Sequence, residues 1–472
     1  MAAKTKANVR MYRLNELGDC FMVTFTTGTK KSHLLVDCGS FRNSESSMTR
    51  LREITAQIEK DLGGSTLDVV VGTHQHNDHL SGFLHCEAEF RKIGVEQVWL
   101  SWLDDPKDKT AVQIGKDHHN LLRHLTTTMH RARAKPAAKG SKAARSQEVV
   151  ADMLGFFGAT ASAASVPEVP AKAVKVMKTL GTAKPRYLRP GDVLDMPGIP
   201  AGAVRVHVLG PPTDHASLYR KDPKKGESYD PALANASRMA AILARAADRP
   251  SGDIAAAERE YPFNVEHRRL ESPDQSTALI EMQRRYRNAD TAWRTIDDDW
   301  MQQAESLALY LNDFTNNSSL VLALELVESG KVLLFAADAQ TGNWASWKDI
   351  VWEHGHPGTR SLLERTVLYK VGHHASHNAT LVQAFEEMGG ADLCAIIPVN
   401  KMDPNITKKN GWKMPASKLF KRLVERTEGR TLQMDNDNPA SCDLSSATVK
   451  AAWKRAGLAP VVTPMAVELE IK

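Results

Sequence analysis

The run Leu67–Val71 (LDVVV) leads through Gly72 and Thr73 straight into His74-Gln75-His76-Asn77-Asp78-His79, and no other feature constrains the chain as tightly. The apolar, β-branched run has the length and composition of a buried strand. Directly behind it, three imidazoles and one carboxylate fall within six residues. A loop held by the sheet beneath it can aim several side chains at one point. Imidazole nitrogen with carboxylate oxygen suits Zn²⁺, and also Mn²⁺ or Fe²⁺. The i, i+2 spacing puts His74 and His76 on one side of extended backbone. Asp78 and His79 follow the turn and can face a second ion. A polar loop without a function has no reason to gather these residue types.

The rest of the chain reads as an α/β core interrupted twice. Phe21–Phe25 (FMVTF) and His33–Val36 (HLLV) flank the turn-like Thr26–Lys31 and predict a hairpin. Residues 46–62 have helical spacing, with Leu51, Ile54, Ile58 and Leu62 on one face. Val95–Leu100 is a further strand, so residues 1–104 form the first half of the core. Residues 105–195 are a basic helical insertion, and 196–215 return to the core with the strand Val204–Leu209. Residues 216–310 are a second, charged helical insertion, including a predicted helix over 232–247. Residues 311–472 hold the second half, with strands at Ser319–Val327, Lys331–Phe335, Thr366–Val371, Leu393–Pro398 and Ala466–Ile471.

Composition excludes several classes. The chain has 472 residues and a formal net charge of +5, too balanced for a protein that coats nucleic acid non-specifically. Any such contact should be local. Its place would be Lys107–Arg145, where ten basic residues meet only two acids, Asp108 and Asp117. That segment reads either as a solvated helical surface or as a phosphate-tracking arm that includes Arg131, Arg133, Lys135 and Lys139. No apolar run reaches the length of a membrane span, so no membrane contact is expected. The start MAAKTKANVR has no apolar segment behind it, which points to the cytoplasm. The cysteines Cys20, Cys38, Cys86, Cys394 and Cys442 are odd in number and form no CxxC pair, as expected of reduced thiols.

With its strand in front, HxHxDH resembles the metal-binding loop of the metallo-β-lactamase superfamily. Other stretches match in order. Gly18-Asp19-Cys20-Phe21 and Leu34-Leu35-Val36-Asp37-Cys38-Gly39 resemble the opening hairpin of that family. Asn316-Asn317-Ser318-Ser319-Leu320-Val321-Leu322, Leu333 to Ala339 and Lys370-Val371-Gly372-His373-His374-Ala375-Ser376 are similar to the NxxSLVL, LLxxGD and KVGHHGS signatures of the ComEC-like branch. Ile397-Pro398-Val399-Asn400 resembles its closing motif. The likeness covers about residues 10–100, 200–215 and 316–400. It implies an αββα sandwich, the metallo-β-lactamase fold, with two largely helical insertions and a one- or two-metal site. Zn²⁺ is the implied cofactor, with Mn²⁺ as the alternative.

Carried over motif by motif, His74 and His76 would bind a first ion, Asp78 and His79 a second, and Asp338 would bridge them. Either His373 or His374 would complete the second site, and the His-x-Ser spacing to Ser376 favours His374. The third histidine of the first ion is not obvious. His215 stands in the expected region, with Asp214 or water as substitutes and His207 inside the preceding strand. Alanine stands before Asp338, and again at Ala375, where the branch shows glycine.

The resemblance implies a metal-dependent hydrolase, foremost a nuclease or phosphodiesterase. Asp78 would orient the water as well as bind metal, and Lys370 and Ser376 are candidate phosphate contacts. Asn400 is a further candidate to face the site. Trp99, Trp102, Trp344 and Trp347 are either core or a stacking rim. The expected partner is nucleic acid, DNA ahead of RNA, and the insertions could carry a homodimer contact or a protein partner. Two other readings stand beside it. One is a small-molecule hydrolase of lactamase, lactonase or thioesterase type. The other is a subunit that keeps the fold and is activated by a partner.

Overall fold

Short runs of aliphatic and β-branched residues pair here into two mixed sheets. The computed structural model describes residues 4–134, 141–159, 166–220, 277–286, 299–353, 356, 358–390, 392–409, 411–435 and 444–472. The predicted helix at 232–247, Cys442, Lys135 and Lys139 lie outside the described residues, as do the side chains of Arg131 and Arg133.

The first sheet takes β1 (Thr5–Tyr12), β2 (Cys20–Thr27), β3 (Lys30–Cys38), β4 (Leu67–Val71), β5 (Val95–Ser101) and β6 (Arg186–Leu188). The second takes β7 (Val193–Asp195), β8 (Val204–Gly210), β9 (Val321–Leu326), β10 (Lys331–Phe335), β11 (Thr366–Lys370), β12 (Cys394–Ile397) and β13 (Thr431–Gln433). The chain then returns to the first sheet with β14 (Val461–Val462) and β15 (Ala466–Ile471), which pairs antiparallel with β1. The strand orders are 14-15-1-2-3-4-5-6 and 13-12-11-10-9-8-7. β3, β4 and β5 run parallel, as do β10, β11 and β12. Parallel neighbours bring the loops at their C-terminal ends to one side of the sheet, where ligands of open α/β sheets bind.

Alternation along the second sheet explains its packing. Leu322, Leu324, Leu333, Phe335 and Leu368 face one core, shared with Phe21, Leu35 and Val70 of the first sheet. Phe21 meets Phe335 edge-on, ring centres 5.7 Å apart. Val321, Ala323, Val332, Leu334 and Tyr369 point the other way and pack with Leu307 and Leu311 of the helix Asp299–Asn317. Period two places successive side chains on opposite faces, and both faces of these strands are covered, so they read as continuous apolar runs. The helix Glu45–Leu62 buries Leu51, Ile54, Ile58 and Leu62, as its spacing predicts. It starts at Ser44, whose hydroxyl accepts from the Ser47 amide.

The helical insertion proves shorter than the sequence suggests. Helices Lys109–Ala134, Lys142–Phe156 and Val169–Met177 fill it, but Arg186–Leu188 and Val193–Asp195 already belong to the two sheets. Strands of three residues carry too little pattern to be seen in advance. The four tryptophans singled out as a possible rim are at most 2% exposed and belong to the core. Among the described residues, no helix is long and apolar enough to cross a membrane.

Candidate metal centre

The C-terminal ends of β3, β4, β10 and β11 converge on the segment HQHNDH. Asn77–His85 is helical, so Asp78 and His79 lie in its first turn with His76 at its start. That turn presses against the opening hairpin. The Asp19 amide donates to the Asp78 carbonyl at 2.9 Å, and the Gly39 amide to the Asp19 carbonyl at 3.0 Å. A Cβ on Gly39 would stand 2.5 Å from backbone atoms of Asp78 and His79, so only glycine allows this approach.

Asp78, His79, Asp338 and His374 each offer one ligand atom, and these atoms all lie within 4.8 Å of one another. All four residues are 0% exposed. His374 Nε2 is 3.0 Å from Asp78 Oδ2 and 3.5 Å from Asp338 Oδ2. His79 Nε2 is 3.3 Å from Asp338 Oδ2, without the alignment of a hydrogen bond. Asp78 Oδ1, His79 Nε2 and Asp338 Oδ2 have no hydrogen-bond partner although buried. Buried polar atoms are normally satisfied, and three orphans on residues of one cluster are what a cation would satisfy.

Neighbouring groups fix these ligands. His79 Nδ1 lies 2.7 Å from Asp37 Oδ2, and Asp37 also accepts from the Thr73 amide and hydroxyl. Donation from Nδ1 leaves Nε2 as the lone-pair nitrogen, the carboxylate–histidine pairing that supports metal ligands. His374 Nδ1 likewise lies 2.8 Å from the Pro398 carbonyl. Lys370, also buried, reaches Asp19 Oδ2 at 2.5 Å, Asp338 Oδ1 at 3.5 Å and the Ala337 carbonyl at 2.9 Å.

Charge balance points the same way. Four buried carboxylates (Asp19, Asp37, Asp78 and Asp338) face one buried ammonium, Lys370, a formal charge of minus three. Burying such an excess is costly unless cations balance it. Burial alone would lower the His79 and His374 imidazoles, yet the surrounding carboxylates, Asp338 first, raise both. Burial alone would raise the Asp338 carboxyl, yet His79, His374 and Lys370 hold it well below its usual range. Protons on the two histidines thus do without an ion what a divalent ion does with one.

The structure gathers some of the predicted residues and not others. His74 and His76 sit beside the cluster but are not part of it. His74 Nε2 is 3.1 Å from His76 Nδ1, and the His74 ring lies 4.1 Å from the His79 ring. Burial holds the His76 imidazole down to about 3, and its Nε2 has no partner. His374 joins the cluster. His373 does not, because its ring nitrogens are taken up by Asn316 on one side and by Ser376 and Gln340 on the other. Ser376 donates its proton to Asn378 Oδ1 and lies 2.7 Å from His373 Nδ1, so it is a brace for His373, not a free phosphate contact. Lys370 is likewise engaged with carboxylates and does not open to a substrate. His215 is a correction. It is exposed at the start of the short helix His215–Leu218, with its ring 4.2 Å from Tyr219, outside the cluster. His207 pairs with Glu325 at 2.8 Å inside the sheet. Asn400 is only half-buried, and its amide donates to the Asn15 carbonyl. Accordingly, His215→Ala should leave the number of ions bound per chain unchanged by elemental analysis, and loss of an ion would return His215 to the site.

Asp19 and Asp37 are the members the sequence reading missed. Both stand in the opening-hairpin motifs, and their signal was position: Asp19 directly precedes β2 and bonds the Asp78 carbonyl through its amide, and Asp37 lies near the end of β3, two residues before the Gly39 that packs on the HQHNDH turn. The backbone here is also strained. Asp37, Ala337, His373, His374 and Ala375 all have φ between 42° and 60°. Ala337 and Ala375 are the two places where the ComEC-like pattern shows glycine, and an alanine in this region costs about 1–2 kcal/mol. No protein-family model matches the chain, and no curated protein matches it.

Proposed function

We propose that this chain is a metal-dependent hydrolase of the metallo-β-lactamase fold, acting on phosphodiesters as a nuclease or phosphodiesterase. One observation carries the reading: four enclosed ligand atoms from Asp78, His79, Asp338 and His374 converge within 4.8 Å in a shell with excess negative charge. A divalent ion held there, Zn²⁺ or Mn²⁺, would acidify a water and neutralise charge developing on the phosphate. His74 and His76, which lie beside the cluster with His74 Nε2 3.1 Å from His76 Nδ1, would have to part from each other to hold a second ion. Asp37 keeps Nε2 of His79 available, and Lys370 fixes Asp338 by holding its other oxygen. Asp78 and Asp338, both held ionised, are the bases within reach of a water at this point. A cavity that touches His74 carries two exposed lysines, Lys175 and Lys172, the second paired with Glu168 at 3.0 Å, and a substrate phosphate would be the anion to compete for them. DNA is the first polymer to test, RNA the second.

Acyl transfer on a small molecule draws on a different observation, the apolar cavity of about 500 Å³ lined by Phe156, Trp412 and Met414 on the His373 side. A cleavage assay separates the two. Single- and double-stranded DNA, RNA and bis-p-nitrophenyl phosphate are expected to be cut with Mn²⁺ or Zn²⁺ and not with EDTA. Hydrolysis of lactones or thioesters, with every phosphodiester left intact, would replace this reading by the second.

A further inference from the structure

We infer that the cavity beside His74 seats a single nucleotide unit, so that the chain acts at strand ends or on small phosphodiesters. This rests on the phosphodiesterase reading above and narrows its substrate. Access comes first. Asp78, His79, Asp338 and His374 have no exposed surface, and the rings of Phe156 and Phe157 stand 5.3 and 5.2 Å from the His76 ring. These two aromatics stand at the end of the helix Lys142–Phe156 and cover His76, beside the centre. His74, 3% exposed, lines a cavity of about 290 Å³, and Phe157 forms part of the same wall. That volume is at the small end for ligand pockets. A space of that size matches a group of about one nucleotide better than a longer stretch of polymer.

The lining has the chemistry a nucleotide requires. Its apolar wall is built from Phe157 and Phe314 with the His118 ring between them, 5.5 Å from each. A base needs such a face. In the same lining the Gln75 amide donates to Asp104 at 2.7 Å, which leaves amide and carboxylate atoms to meet a base edge. Lys172 and Lys175 stand one turn apart on the helix Val169–Met177; Lys172 is paired with Glu168 of the same lining at 3.0 Å, and a flanking phosphate would take that carboxylate's place. None of this depends on the basic stretch around residue 135.

Gly115 gives a clean test. It lines the cavity on the helix Lys109–Ala134, and a Cβ there meets nothing within 4 Å. Gly115→Phe should therefore fold, gain helix propensity and fill the space. Calorimetry with thymidine 5′-monophosphate on EDTA-treated protein should show binding to the wild type. Binding should weaken at least tenfold in Lys172→Ala with Lys175→Ala, and be lost in Gly115→Phe. With Mn²⁺, linear single-stranded DNA should yield mononucleotides while a closed circular strand stays intact. No binding of the monophosphate, unchanged binding in Gly115→Phe, or circular DNA cut as fast as linear would overturn the assignment. Binding as described with no phosphodiester hydrolysed would instead sink the hydrolase reading and leave the nucleotide seat standing.

Discussion

Replacing Asp78 and His79 together by alanine is expected to leave the chain folded, unable to retain its ion, and at least about 10³-fold less active on any substrate the wild type hydrolyses. The two residues are half of the four-atom cluster, and they occupy one helical turn whose backbone contacts do not need their side chains. Removing two carboxylate or imidazole ligands leaves Asp338 and His374, too few to hold a divalent ion tightly. Stability gives a readout independent of turnover. At an ion concentration about 100-fold above the dissociation constant, a ligand that binds only the folded chain adds about 2.7 kcal/mol. Zn²⁺ should thus raise the melting temperature of the wild type and leave the double variant unmoved. A variant that still binds an ion and still hydrolyses would remove these residues from the centre.

Lys370→Met is the second large effect, and it falls on stability. The ammonium is enclosed, 2.5 Å from Asp19 and 3.5 Å from Asp338. Methionine keeps the length of the stem but strips both carboxylates of their cation. Breaking a buried ion pair from one side costs about 3–5 kcal/mol, because the charge left behind is neither solvated nor paired. Denaturant unfolding of the EDTA-treated chain should show a loss of that order. Adding Asp19→Asn should restore part of it, since the second change removes one of the stranded charges. A Lys370→Met chain as stable as the wild type would mean that the pair is offset elsewhere.

Much of the fold was legible because strands and helices announce themselves by period. The LDVVV strand, the hairpin before it, the helix of residues 45–62 and the closing strand Ala466–Ile471 all lie where apolar spacing puts them. β6, β7 and β13 were not legible, being three residues each. β1 was also missed, because its burial alternates with Lys6, Asn8, Arg10 and other polar residues on an opening strand that pairs with the far end of the chain.

The sequence by itself determined which chemistry is available: imidazoles and a carboxylate packed into one turn, with Asp338 and His374 in motifs far along the chain. The tertiary structure decided which of them meet. It brought Asp78 and His374, 296 positions apart, to 3.0 Å, set His215 on the surface, and turned Lys370 and Ser376 inward to brace Asp338 and His373. It also supplied Asp19 and Asp37, whose roles depend on strand ends that only sheet pairing brings alongside the helix turn. Ligand type is a local property of a side chain and can be read from one dimension. Ligand geometry is set by register and by which loops leave the same side of two sheets, and those follow from long-range pairing and packing.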